Sequence, residues 1–249
     1  MIVWKQQYGQ WVKKDKLYEA LSVDFARKQV ISAVGGGGKT TALYRLAEEL
    51  SALGKKVILT TSTHMAMPEI PGILISEMND VKSAWESSTF AVVGRPDGNK
   101  KMTGVSAGEF DQMCDYADLI LVEADGSRQL PLKMPALHEP SIPVSTTHVL
   151  VLAGMNFLGQ ELSRVCHRPE LVTHQLQAGA DHIMTAKDAA LILNQGYWIP
   201  FVARTGRSGT VILNQADDAA QFAGAVKTAA ILSPVPCLIT RLREDNIRK

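Results

Sequence analysis

Only three cysteines occur in 249 residues, Cys114, Cys166 and Cys237, and no two form a CxxC pair. That scarcity argues against a zinc ribbon and against a disulfide framework, and it fits a reducing cytosol. Charge of one sign is also missing. Lys plus Arg number 26 against 25 Asp plus Glu, a net charge of +1 with a pI near 7.7. No long-range field gathers nucleic acid or anionic lipid, so neither is an expected partner. No apolar run approaches the roughly 18 residues of a membrane span. Lys5, Lys13, Lys14, Asp15 and Lys16 interrupt any apolar leader, so a cytoplasmic protein is expected.

Hydrophobic residues make up 46% and charged residues 20%, ordinary globular usage for a chain long enough to build a core without disulfides. Short β-branched runs alternate with helical periods. Strands are expected at 29–34, 56–61, 72–75, 90–93, 119–123, 148–153, 210–214 and 237–240. Helices are expected at 40–53, 81–87, 106–116, 169–178, 186–193 and 216–232. In the first helix Leu43, Leu46, Ala47, Leu50 and Leu53 share one face, and Gly54 closes it. Its two flanking strands should run parallel. The pattern predicts an α/β fold, a mostly parallel sheet with helices on both faces, of phosphate-loop NTPase-like type. One domain over 29–249 is expected, with an N-terminal segment, 1–28, packed on it. Residues 130–143 hold four prolines and read as a long loop.

The sharpest motif is AVGGGGKT at 33–40, an [AG]xxxxGK[ST] phosphate loop between a strand and a helix. Gly35, Gly36, Gly37 and Gly38 let the backbone bend so that its N–H groups face a β-phosphate, and the helix N-terminus adds unpaired donors. Lys39 is placed for the β- and γ-phosphates and Thr40 for Mg²⁺. Val34 precedes the glycine run, so no lysine acting in trans on a second copy is expected. The alternative is a glycine-rich turn that binds nothing.

A second motif, LILVEADG at 119–126, ends a strand in Glu123 and Asp125. Two residues apart, they can face the same side; one would hold Mg²⁺ and the other orient a nucleophile, and Gly126 would allow close approach to a γ-phosphate. The plainer alternative is a strand-end carboxylate capping a loop. Thr61 and Thr63 in TTSTH, 60–64, are further candidates for metal or phosphate. His64, His148, His174 and His182 carry no functional weight. The third motif is LNQAD, 213–217, similar to the NKxD element of GTPases with Gln215 in the lysine position. Asp217 would accept from guanine N1–H and N2–H, beside Asn214. Against this, Asn and Asp also serve as turn and N-cap residues, so ATP and GTP both stay open.

Taken together, VGGGGKTT (34–41), TTSTHM (60–65), LVEADGSRQLPLKMPALHEP (121–140), HRPE (167–170) and LNQAD (213–217) resemble the selenium-dependent molybdenum hydroxylase accessory family, often called YqeC-like. The resemblance implies a nucleotide-binding protein that helps mature such a hydroxylase. Its partner would be the hydroxylase or its cofactor-assembly proteins. It carries Lys39, Thr40 and Thr41 to phosphate and Mg²⁺, and Glu123 and Asp125 to the acidic motif. Lys133, His138, Glu139, His167 and Arg168 become pocket candidates without an assigned role. Lys133, His138 and Arg168 would suit a developing phosphate charge or a second anionic substrate. Alternatively His138–Glu139 staples its own loop and Arg168–Pro169 starts a helix. The expected activity is Mg²⁺-dependent NTP hydrolysis. The alternatives are a nucleotide-gated carrier or chaperone, and a small-molecule kinase or nucleotidyltransferase.

Overall fold

A computed structural model describes residues 1–67, 74–75, 78–86, 90–98 and 100–242. Its frame is a ten-stranded sheet built from β1 (Ile2–Gln7), β2 (Gln10–Lys14), β3 (Gln29–Gly35), β4 (Val57–Thr61), β5 (Leu74–Ile75), β6 (Ala91–Val93), β7 (Leu119–Glu123), β8 (His148–Gly154), β9 (Ser208–Asn214) and β10 (Cys237–Arg241). The spatial order is β2-β1-β10-β9-β8-β3-β7-β4-β6-β5. Every pairing from β10 to β5 is parallel. Only β1 and β2 are antiparallel, a hairpin laid along β10.

The expected α/β class is therefore the observed one. β3 and β4 run parallel, as a strand, crossover helix and strand require, but β7 lies between them. Glu123 at the end of β7 stands opposite Ala33 on one side and Thr61 on the other.

The central strands β3, β4, β7 and β8 are buried on both faces and read as continuous apolar runs, as parallel strands do. Along β3 the side chains alternate: Val30 and Val34 join one core, Ile31 and Ala33 the other. Helices α1 (Leu17–Ala20) and α2 (Lys39–Ser51) cover the second face through Leu17, Ala42, Leu43, Leu46 and Leu50. The first face is covered by α3 (Met78–Glu86), α4 (Ala107–Tyr116), α5 (Pro169–Leu176), α6 (Ala186–Leu191) and α7 (Ala219–Leu232).

Several boundaries differ from expectation. α2 stops at Ser51, so Leu53 lies beyond it and is exposed. α6 does not end at 193 but continues as a π-helix over Ile192–Trp198 and a last turn over Ile199–Phe201. α7 begins at Ala219 because Asp218, not a residue near 216, caps it. Inside 130–143, Leu132–Lys133 forms a two-residue strand against Cys166–His167, outside the main sheet. Of the expected strand 72–75 and helix 81–87, residues 72, 73 and 87 lie outside the described residues. Among the described residues no helix is long and apolar enough to cross a membrane.

Candidate functional site

β3 delivers the glycine loop to the carboxyl end of the sheet, where open α/β folds place their ligands. Three surrounding segments hold its backbone. Gly35 N–H donates to Asp125 Oδ2 (3.2 Å), Gly36 N–H to Leu152 O (3.0 Å) and Gly37 N–H to Leu130 O (3.1 Å). Two of the amides expected to face phosphate therefore bond to protein carbonyls. Gly37 has φ +72°, and a Cβ there would lie 2.0 Å from Gly154 N. Close backbone packing thus gives the glycine run a reason independent of any ligand.

The donors left over belong to α2. The first backbone bond into this helix is Ala42 N–H to Gly38 O at 3.0 Å, so the amides of Lys39, Thr40 and Thr41 have no partner within the helix. The positive end of a 13-residue helix adds to them. Lys39 is buried; its ammonium donates to Gly35 O (2.7 Å) and Ser127 Oγ (3.4 Å). Burial pulls its pKa below 10.5, opposed by the Glu123 and Asp125 carboxylates.

Both acidic residues reach the loop, but they do different things. Thr40 Oγ1 donates to Glu123 Oε2 at 2.6 Å. Burial raises the Glu123 carboxyl, with Lys39 and Thr40 opposing. Thr61 and Ser62 fix the end of β7 by donating to Glu123 O, at 2.8 Å from the Thr61 hydroxyl and 3.1 Å from Ser62 N–H. Thr63 N–H bonds Thr61 Oγ1 at 3.1 Å. Asp125 lies past the strand end with both oxygens engaged: Oδ2 accepts from Gly35 N–H and from Tyr197 OH (2.8 Å), and Oδ1 takes the Lys133 ammonium. Burial and the Asp125 charge push the Tyr197 hydroxyl well above its usual pKa. Gly126 gives its carbonyl to Lys133 Nζ at 2.6 Å, and a Cβ there would meet none of the described residues beyond its chain neighbours within 4 Å.

The cation cluster expected to receive an anion is instead neutralised within the protein. Lys133 contacts Asp125 and also Glu139 Oε2 at 2.9 Å, while Arg168 grips Glu139 with both terminal nitrogens. Hydrogen bonds from Arg168 and Lys133 outweigh burial and hold the Glu139 carboxyl down at about 2. Glu139 is thus a staple, but to Arg168 and Lys133 and not to His138, which is exposed. Arg168 also serves as N-cap position of α5, with Pro169 in the first turn. His167 has its pKa lowered by burial and by Lys133, Arg168 and Arg128.

On the far side of the loop, Asn214 is buried as a strut between three segments. Its Nδ2 donates to Gly37 O (2.8 Å), and its Oδ1 accepts from Thr240 Oγ1 (2.9 Å) and Leu242 N–H (3.3 Å). Asp217 is not part of that strut. A cavity of about 210 Å³ opens there, lined by Gly38, Thr41, Asn156, Asn214, Gln215, Asp217 and Leu242. Among the described residues no group of three or more His, Cys, Asp or Glu could hold a metal on its own.

Sequence reasoning missed Ser127, Tyr197, Thr240 and Asn156. Ser127 sits beside the acidic motif and was within reach of the pattern. Tyr197, 72 residues beyond Asp125, carries no motif.

A parallel sheet with a glycine loop entering a helix, and a neighbouring strand that ends in a carboxylate on that helix, defines an α/β fold of the phosphate-loop NTPase-like class. The profile of the family described as "YqeC protein" matches residues 31–170, more than half of the chain. The chain belongs to the YqeC family. It is similar to a protein of Escherichia coli (strain K12) described as "Uncharacterized protein YqeC", with 39% identity over 153 residues, 58% of this chain and 60% of that protein. The chain therefore spans about three-fifths of the length of that relative. The matched segment holds the glycine loop, Glu123, Lys133 and Glu139, and stops before Asn214.

Proposed function

We propose that the protein binds a Mg²⁺-nucleoside triphosphate at the glycine loop and hydrolyses it slowly, as an accessory factor in maturing a selenium-dependent molybdenum hydroxylase. The observation that carries the nucleotide reading is the Thr40 hydroxyl 2.6 Å from Glu123 Oε2, next to the Lys39 ammonium and the open amides of α2. Family membership supports the accessory role.

The donor set suits the ion. Mg²⁺ takes hard oxygen ligands and uses few protein groups, keeping waters and phosphate oxygens for the rest. Thr40 and Glu123 would hold it, and when bound it neutralises charge on the β- and γ-phosphate oxygens. Lys39 adds a second positive charge in a buried setting where water screens it poorly. The α2 amides orient the phosphates. Asp125, with both oxygens engaged by Gly35, Tyr197 and Lys133, positions the loop, and ion binding and the orientation of water fall to Glu123.

The hydrogen bond from Gly37 N–H to Leu130 O favours one second reading, a nucleotide-gated carrier. A phosphate that draws the Gly37 amide inward releases the 130–143 loop, and a partner reads the change. A kinase or nucleotidyltransferase loses support, because the cations expected to hold its acceptor are already paired.

Lys39→Ala tests the reading. Equilibrium binding of Mg-ATP and Mg-GTP and release of inorganic phosphate should both be lost; turnover equal to wild type removes the mechanism. Turnover that rises only with an added hydroxylase assigns the carrier reading, pyrophosphate marks nucleotidyl transfer, and a phosphorylated acceptor marks a kinase.

A further inference from the structure

The cavity beside the glycine loop shares two walls with the phosphate site, Gly38 and Thr41. A ligand whose phosphates lie on the start of α2 carries its other end into this space. The remaining lining residues are Asn156, Asn214, Gln215, Asp217 and Leu242. Among the described residues no cation lines the cavity.

The roles of the LNQAD residues separate in the structure. Asn214 has both acceptor sites of its oxygen filled by Thr240 and Leu242 and an amide hydrogen on Gly37, so it braces the loop. The N-cap role belongs to Asp218, whose carboxylate accepts from Gln221 N–H at 2.7 Å, while Asp217 gives only its backbone N–H to Gln221 Oε1 (2.8 Å). The capping explanation for Asp217 therefore falls. Asp217 lines the cavity with its side chain 55% exposed, and Arg241 Nε lies 3.8 Å from its Oδ1. Gln215 is held at φ +58°, an uncommon conformation for a residue with a side chain, and its buried Oε1 has no hydrogen-bond partner among the described residues. Strain of this kind persists where surrounding structure imposes it, often around ligands.

We infer that this cavity is a base pocket selective for guanine, with Asp217 as the specificity-determining residue and Asn214 as the strut that sets its distance from the phosphate loop. The inference rests on the nucleotide reading above. A carboxylate is acceptor-only, and guanine offers it two adjacent donors, N1–H and the N2 amine. Adenine has no such pair. Asn156, just past the carboxyl end of the neighbouring parallel strand β8, supplies a carboxamide.

The test is titration of the full chain with Mg-GTP, Mg-ATP and Mg-XTP, for the wild type, Asp217→Asn and Lys39→Ala. Wild type should prefer GTP by about 10- to 100-fold, the worth of charge-assisted hydrogen bonding to the base edge. Asp217→Asn should lose GTP by a similar factor and gain XTP, since a carboxamide can donate to the xanthine C2 carbonyl and accept from N1–H. That gain cannot come from misfolding. Equal ATP and GTP affinity in the wild type overturns the base assignment and leaves the phosphate site standing. Equal loss of both nucleotides in Asp217→Asn moves the carboxylate to the ribose and also overturns it. No binding of any nucleotide by the wild type overturns the nucleotide reading itself.

Discussion

Replacing Lys133 by methionine asks how much the buried charge network contributes. The Lys133 and Asp125 side chains are fully shielded from water, and Glu139 is 20% exposed. Methionine fills similar space but removes the ammonium that Asp125, Glu139 and Gly126 O share. Glu139 keeps Arg168, while Asp125 keeps only Gly35 N–H and Tyr197 OH. Breaking one side of a buried ion pair costs about 3–5 kcal/mol. A domain of this size shifts by roughly 2–4 °C per kcal/mol, so Tm should fall by about 6–20 °C. The cycle is completed by Asp125→Asn alone and by Lys133→Met with Asp125→Asn, the double variant leaving an acceptor oxygen for Gly35 and Tyr197 and no stranded charge. The cycle should show a coupling of about 1–3 kcal/mol, part of the single-variant loss being recovered. Urea and thermal unfolding followed by circular dichroism measure both. A Lys133→Met protein within about 0.5 kcal/mol of wild type would refute the claim that this ammonium neutralises a desolvated carboxylate.

Two further outcomes follow from particular residues. His148 is buried at the start of β8 with Nε2 3.1 Å from Thr210 Oγ1, and burial lowers its pKa to about 4. A depressed folded-state pKa stabilises the protein above the unfolded value near 6.5 and loses that contribution as pH falls through 4, roughly 3 kcal/mol in all. His148→Gln should flatten urea stability between pH 7 and pH 4 relative to wild type, and parallel losses in the two proteins would count against it. Gly37→Ala and Gly9→Ala both place a side chain at positive φ, +72° and +78°, each costing about 1–3 kcal/mol. Only Gly37 has backbone 2.0 Å from the new Cβ, whereas Gly9 faces nothing within 4 Å. The Gly37 variant should therefore lose more stability and also lose Mg-nucleotide affinity, and equal losses would refute the packing argument.

The parallel core was legible because β-branched runs bounded by glycine and helical periods are local signals. The strand 119–123 was read to the residue, since Leu119 to Val122 form an apolar run that a carboxylate ends. The hairpin of β1 and β2 was not read: Lys5, Lys13 and Lys14 mask an edge pair with little burial. In the site, Lys39, Thr40 and Glu123 stood in contiguous motifs, and the fold brings them together. The pairing of Glu139 with Arg168, and of Lys133 with Asp125, joins residues whose charges each looked available along the chain. Only tertiary structure shows them neutralised. The helix expected to end at 193 runs on through Gly196. A Cβ there would meet Met134 Sδ at 2.9 Å and Pro135 Cδ at 3.1 Å, so glycine is needed for the packing of 130–143 and not for a turn.

The π-helical stretch Ile192–Trp198 amounts to a helix with slack wound into it. Each residue of a regular α-helix turns about 100° round the axis, so taking up one residue of that slack would swing the Tyr197 phenol away from Asp125. The clamp beneath the glycine loop thus depends on a winding irregularity in a distant helix. An insertion or deletion of one residue between 192 and 197 would be felt at Gly35 as well as in the core around Ile192 and Leu193.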